Sequence, residues 1–277
     1  YKNLNYNFFP VSFNLKGDHK KFRKQYSKKC FKKYLISIPD ITIINMSAHS
    51  SPFSFDLSQL ILSKGKRYIA MLGGRHYSNT QKNIEYYKNA NHILVHTKAQ
   101  KNEMLNLDLF KGLDIRIFPL GVDLEKFYNL EFNKNSNCNL LYVGRITEFK
   151  RVHLAIEVLN NLIKNGFLNA SLKIIGPISS LDYYEKIKLL IKKYNINENI
   201  EILGEKKHSD LITYYQNADM LLLPSDQETF GMVMIEAMAC GTPVAAINCL
   251  GGPSEVIKNN FNGILTPLEN YSLSIYN

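Results

Sequence analysis

Two glutamates, Glu228 and Glu236, stand eight positions apart in the run Pro224-Ser225-Asp226-Gln227-Glu228-Thr229-Phe230-Gly231-Met232-Val233-Met234-Ile235-Glu236-Ala237-Met238-Ala239-Cys240-Gly241-Thr242-Pro243-Val244. The run follows an apolar strand-like segment and opens a helix-like one. Gly231 sits where the backbone must turn sharply or approach a ligand, and the helix behind it offers unpaired amides and a positive dipole end to an anion. At about 100° per residue, an eight-residue step is about 80° of rotation and two turns of rise, so both carboxylates can face one cleft and grip hydroxyls of an elongated ligand. A solvated helix face is the ordinary place for two glutamates. Glu236, however, lies in the nearly uncharged run 231–247, where a carboxylate without a partner is costly to bury. Gly241 and Pro243 then stop the helix as C-cap and breaker.

The elements that must hold these residues follow from the alternation of apolar and polar segments. Short β-branched runs at 41–46, 68–72, 93–96 and 115–118 read as strands separated by helix-like stretches. The pattern lapses between residues 127 and 139 into an Asn-rich segment (Asn129, Asn133, Asn135, Asn137, Asn139), which reads as a linker. It then restarts, with strands at 140–143, 172–175, 200–203, 220–223 and 244–247 and helices at about 151–165, 181–194, 208–217 and 231–239. The expected fold is α/β: two Rossmann-like, doubly wound domains in tandem, residues 1–134 and 135–277, with ligands beyond the carboxyl ends of the strands in a cleft between them.

Composition sets the outer limits. A chain of 277 residues, 45 % hydrophobic and 21 % charged, can bury a sizeable core, which excludes disorder as its main state. No apolar run reaches the roughly 18 residues that a membrane span needs. Cys30, Cys138, Cys240 and Cys249 are widely spaced, and the N-terminus lacks a signal-peptide layout, which suggests a reducing cytoplasm. The net charge of +10 is unevenly shared: residues 1–134 carry 22 Lys+Arg against 10 Asp+Glu, residues 135–277 carry 12 against 14. Between residues 16 and 33, nine basic side chains (Lys16, Lys20, Lys21, Arg23, Lys24, Lys28, Lys29, Lys32, Lys33) alternate with Phe22, Tyr26, Cys30 and Tyr34 at steps of four, a helical stripe with a cationic back. It reads as a solvated helix face or as a patch that attracts anionic headgroups or an acidic substrate. No nucleic-acid-binding motif accompanies the charge, so nucleic acid is not an expected partner.

The ordered set of motifs resembles the retaining GT-B glycosyltransferases of family 4. Glu228 and Glu236, in an E-x-F-G…E-A-M-A-x-G-x-P-V setting, are similar to that family's E-x7-E signature. Pro119-Leu120-Gly121-Val122-Asp123 with Phe127 resembles its P-x-G-[VI]-D segment, and Tyr142-Val143-Gly144-Arg145 with Lys150 its V-G-R…K element. Ile175-Gly176-Pro177, Leu203-Gly204 and Gly251-Gly252 with Glu255 complete the likeness, which spans roughly residues 40–267.

The resemblance implies transfer of a sugar from a nucleotide-sugar donor such as a UDP-sugar, with retention of configuration, in cell-surface polysaccharide or glycolipid synthesis. Arg145 and Lys150 would clamp the diphosphate as charge develops on the leaving group. Glu236 would bind the ribose hydroxyls, while Glu228 and the backbone of Phe230, Gly231, Met232 and Val233 would meet the donor sugar and its phosphates. In the first half, Gly73-Gly74-Arg75-His76 follows a strand where the family carries a histidine facing the donor sugar, so His76 is the candidate there. His49 is a lesser candidate on the acceptor side, and His92 and His96 read as packing or turn residues. No Asp-x-Asp metal handle occurs, so no metal and no cofactor beyond the donor is expected. The expected partners are the donor, a carbohydrate or lipid-linked acceptor, and an anionic membrane at its cytoplasmic face, contacted through residues 16–33. Complete members begin with a further strand, Gly-rich loop and helix and end with further helices, so the chain reads as incomplete at both ends. That leaves as alternatives a nucleotide-sugar-binding protein without turnover, or a sugar-nucleotide epimerase or hydrolase on the same fold.

Overall fold

The computed structural model describes residues 26–46, 51–75, 77–129 and 138–275. The chain divides into two compact units, Tyr1–Pro119 and Leu120–Asn277. The division falls before the Asn-rich segment rather than within it, because Phe127, 3 % exposed, and Val122 pack into the core of the second unit. Residues 120–129 therefore go with the second half, whereas their sequence placed them at the end of the first.

In the first unit, strands β1 (Ile41–Met46), β2 (Arg67–Leu72), β3 (His92–Val95) and β4 (Ile115–Ile117) form a wholly parallel sheet in the order 1-2-3-4. Helices α1 (Lys28–Ile36), α2 (Pro52–Ser63), α3 (Gln81–Lys88) and α4 (Lys98–Leu105) accompany them. The core is rich in tyrosine: Tyr68 stacks on Tyr86 at 5.3 Å, and the Tyr68 hydroxyl donates to the Tyr86 carbonyl at 2.5 Å. Burial pushes the Tyr87 hydroxyl up to about 12 and keeps it protonated. Thr80 and Thr97 cap α3 and α4 through their side-chain oxygens, which accept from Asn83 and Gln100 amides.

The basic stripe is interrupted at Tyr26–Ser27. Ser27 accepts from the Cys30 amide and caps α1, so the helix starts at Lys28, and Tyr26 packs instead on Phe53 at 5.2 Å. Lys28, Lys29, Lys32 and Lys33 are exposed on α1, and residues 16–25 of the stripe lie outside the described residues.

The second unit holds strands β5 (Asn139–Val143), β6 (Ser171–Ile175), β7 (Ile200–Gly204), β8 (Met220–Leu223), β9 (Val244–Ile247) and β10 (Gly263–Thr266). They make one parallel sheet in the order 10-9-8-5-6-7. Helices α5 (Val152–Lys164), α6 (Leu181–Tyr194), α7 (Leu211–Gln216), α8 (Met232–Ala239), α9 (Gly252–Val256) and α10 (Tyr271–Ser274) complete it. β9, Val-Ala-Ala-Ile, is buried throughout, as expected for a strand covered on both faces. On α5, Val152, Ala155, Ile156, Leu159 and Leu162 fall at helical spacing and are buried, each large side chain contributing about 1.5–3 kcal/mol. β10 was not read from the sequence as a strand; Gly263 at its start faces the β9 backbone, where a Cβ would lie 2.3 Å from the Val244 carbonyl oxygen. Among the described residues, no helix is long and apolar enough to cross a membrane.

Candidate functional site

The strand order of the second unit reverses direction at β5. From there the chain proceeds through β6 and β7 to one side and through β8, β9 and β10 to the other. Loops leaving the carboxyl ends of β5 and β8 therefore diverge at the switch point, where a parallel sheet opens a crevice. Arg145, Lys150, Glu228, Phe230 and Gly231 lie on these two loops, and Met232, Val233 and Glu236 on the helix that follows the second.

The loop after β5 begins with Gly144 and the exposed Arg145, whose carbonyl accepts from the Tyr142 hydroxyl at 2.9 Å. A short turn, Glu148–Lys150, then brings Lys150 round, and the Lys150 ammonium donates to Glu228 Oε2 at 2.6 Å. The next residue, Arg151, takes a left-handed conformation, φ 50°, to enter α5, and its guanidinium donates to Asp226. Asp226 holds the Arg151 guanidinium above its ordinary range. Two consecutive cations thus reach two carboxylates spaced two residues apart on the β8 loop.

Helix α8 starts only at Met232, so Glu228 belongs to the preceding loop and not to the helix. The rotation per residue that relates Glu228 to Glu236 in sequence therefore does not apply; Glu228 is aimed by the loop and by Lys150. Gly231, φ 85°, makes the turn into α8, and a Cβ there would lie 3.1 Å from the Glu228 side chain. The loop rests on Gly251 and Gly252. A Cβ on Gly251 would lie 2.0 Å from the Glu228 carbonyl oxygen, and one on Gly252 1.6 Å from that of Phe230. The Gly252 amide donates to the Thr229 carbonyl at 3.2 Å. Phe230 is buried, Met232 and Val233 half-buried, and the first amides of α8 have no acceptor within the helix.

Glu236 is 4 % exposed on α8 and has the partners that its burial requires. His208 Nε2 donates to Oε1 at 2.8 Å and the Tyr215 hydroxyl donates to Oε2 at 2.9 Å. Burial and the neighbouring Glu236 charge raise the Tyr215 hydroxyl far above its usual range, so it remains a donor. Phe127 packs on the His208 ring at 5.2 Å and on Tyr215 at 6.3 Å.

In the first unit, His76 and His49 lie outside the described residues. The backbone leading to His76 is fixed by the wholly buried Gln100, whose side-chain amide donates to the carbonyls of Leu72 at 2.9 Å and Gly74 at 3.0 Å. Its oxygen accepts from the His96 amide at 3.1 Å. His96 is buried and meets the Phe118 carbonyl at 3.1 Å, while His92 pairs with Asp114 at 2.7 Å.

Sequence reasoning did not find His208, Tyr215, Arg151, Asp226 or Gln100. The nearly uncharged surroundings of Glu236 required partners for it, but partners 21 and 28 positions away carry no spacing signal. Among the described residues, no three His, Cys, Asp or Glu side chains converge as they would around a metal ion.

Comparison with known proteins places this geometry in context. Residues 122–272 match the family model described as glycosyl transferases group 1. The chain is 35 % identical over 159 residues to an uncharacterised glycosyltransferase of Methanocaldococcus jannaschii, covering 56 % of this chain and 39 % of that protein. It is 28 % identical over 182 residues to the capsular polysaccharide biosynthesis glycosyltransferase CapM of Staphylococcus aureus, covering 61 % and 46 %. The chain thus spans less than half the length of these relatives. Among solved structures, HepE of Anabaena, determined with UDP and glucose, superposes with a TM-score of 0.72 at 18 % identity, covering 89 % of this chain and 69 % of that one. That likeness shows the fold, that of the GT-B class.

Proposed function

The chain belongs to the glycosyl transferases group 1 family, and from that membership we propose that it moves a sugar from a nucleotide-diphosphate-sugar to an acceptor. The observation that carries the reading is the Lys150–Glu228 pair on the loops that lead to the N-terminus of α8, the helix that also carries the buried Glu236. A diphosphate there meets the Lys150 ammonium, the exposed guanidinium of Arg145 and the free amides at Met232 and Val233. Together these neutralise charge as the leaving group departs. Glu236 accepts from ribose hydroxyls. Glu228, released by Lys150 when phosphate arrives, accepts from a hydroxyl of the donor sugar, beside the backbone of Phe230 and Gly231.

His76, which lies outside the described residues, is assigned to the donor sugar in this reading by the family resemblance alone. Transfer proceeds with retention, through a loose oxocarbenium-like transition state in which these donors take the negative charge of the departing diphosphate without a metal ion. The family-4 assignment, a hexosyl donor of the UDP type and a role in polysaccharide or glycolipid synthesis belong to the same proposal; relatives such as CapM support the polysaccharide role. We place the protein in the cytoplasm, against the inner face of an anionic membrane through Lys28, Lys29 and neighbouring lysines. Vesicle binding that persists unchanged when Lys20, Lys21, Lys28 and Lys29 become Glu would remove the membrane contact from the account.

The test of the central reading is turnover: incubation with UDP- and GDP-sugars and a panel of glycan and lipid-linked acceptors. Acceptor-dependent release of the nucleotide supports it. Release of free sugar without acceptor would instead make the protein a hydrolase.

A further inference from the structure

Glu236 is held by two donors from outside its own helix, one for each carboxylate oxygen. His208 Nε2 reaches Oε1 at 2.8 Å from the short turn after β7, and the Tyr215 hydroxyl reaches Oε2 at 2.9 Å from α7. The two donors differ in what surrounds them. Tyr215 is wholly buried, and its own carbonyl accepts from the Thr242 hydroxyl, so its ring is fixed by the core. The His208 side chain is 67 % exposed, and the buried ring of Phe127 lies 5.2 Å from it.

Each carboxylate oxygen has two lone-pair directions. One on each oxygen is taken by His208 or Tyr215, which leaves one on each for a ligand. Two acceptor sites on one rigid carboxylate match two neighbouring hydroxyls of a ribose ring. Without its donors the carboxylate could rotate about its terminal torsion, which is broad, and the paired presentation would be lost.

We propose that His208, supported by Phe127, is a positioning residue that fixes the Glu236 carboxylate for bidentate recognition of a ribose 2′,3′-diol. This rests on the donor-site reading above and assigns to an exposed histidine on another element the selectivity for ribonucleotides. Tyr215 serves the same carboxylate from the core side.

The experiment compares, for each protein, the affinity for a ribonucleoside diphosphate with that for its 2′,3′-dideoxy analogue. UDP, GDP and ADP pairs serve as probes by calorimetry. The ratio cancels general losses of fold, since both ligands meet the same protein. In the wild type the ribonucleotide binds more tightly. His208→Ala lowers that ratio about tenfold, the range expected for loss of a charge-assisted hydrogen bond, and leaves dideoxy affinity unchanged. His208→Gln, which retains a donor, restores most of the ratio. A ratio unaltered in His208→Ala, or equal affinities in the wild type, overturns the inference while the donor site stands. Failure of the wild type to bind any of the ribonucleotides overturns the donor-site reading itself.

Discussion

The Lys150 ammonium lies 2.6 Å from Glu228 Oε2, with the two side chains 22 % and 15 % exposed. Each neutralises the other in the unliganded site. A phosphate group entering beside α8 competes with Glu228 for the same cation, which gives the two residues opposite effects on binding. Lys150→Met lowers nucleoside-diphosphate affinity about tenfold or more, while Glu228→Gln leaves it unchanged or raises it. The Glu228 variant loses instead the extra affinity that the sugar gives an intact donor. Titration of both variants with diphosphate and with nucleotide-sugar reads the two effects separately.

A Cβ at Gly252 would lie 1.6 Å from the Phe230 carbonyl oxygen, a backbone atom that cannot move aside without shifting the β8 loop. Gly252→Ala therefore destabilises by about 3 kcal/mol or more, or displaces the loop and removes donor binding. Gly121→Ala, where nothing lies within 4 Å of an added Cβ, stays within about 0.5 kcal/mol of the parent. Thermal melts of the two variants decide this.

Much of the fold was legible in the sequence because strands buried on both faces announce themselves: Met220–Leu223 and Val244–Ile247 were read within their observed bounds. β10 was not, since it is short and opens on Gly263, whose place there is explained by its close approach to the Val244 carbonyl. Of the site, the two loops with Arg145 and Lys150 were singled out from the motifs, but Arg151 and the pairing were not. Lys150 was read as a phosphate ligand without its tie to Glu228, because a contact across 78 positions leaves no periodicity. Glu228 was read on a helix that starts four residues later. Glu236 announced that it needed partners through its apolar surroundings, and the fold supplied them from α7 and the turn before it.

Gln100 carries the backbone that leads toward His76. Its side-chain amide serves the Leu72 and Gly74 carbonyls, and its oxygen the His96 amide. Gln100→Leu keeps the bulk and leaves these groups unserved. The expected cost is about 2 kcal/mol or more in urea unfolding, with faster hydrogen exchange at the His96 amide. An unchanged midpoint would show that the loop is held by other means.

His153 gives the stability of the second unit a pH dependence. The Tyr183 hydroxyl accepts from the His153 amide at 3.1 Å and donates to Nδ1 at 2.7 Å. Burial, the main cause, holds its imidazole below the ordinary value of 6.5, with Arg151 adding to the effect and Glu157 opposing it. The unfolded chain therefore binds this proton more readily than the folded one. The stabilising contribution is complete above about pH 6.5 and is lost as pH falls from there through the lowered folded value. Chemical denaturation between pH 5 and 8 reads the slope, as a difference between the parent and His153→Gln. A parent that gains stability relative to the variant as pH falls would reverse the expected sign.

The central claim is that the β5 and β8 loops of the second unit form a nucleotide-sugar donor site. Calorimetric titration of the chain with UDP, GDP and a panel of their sugars, beside Arg145→Ala and Glu236→Ala, tests it most directly. Saturable binding by the parent is predicted, lost or weakened at least tenfold in both variants while both remain folded, with Glu236→Ala melting somewhat lower because the buried Tyr215 hydroxyl loses its acceptor. Binding equally tight in both folded variants, or none by the parent, would contradict it.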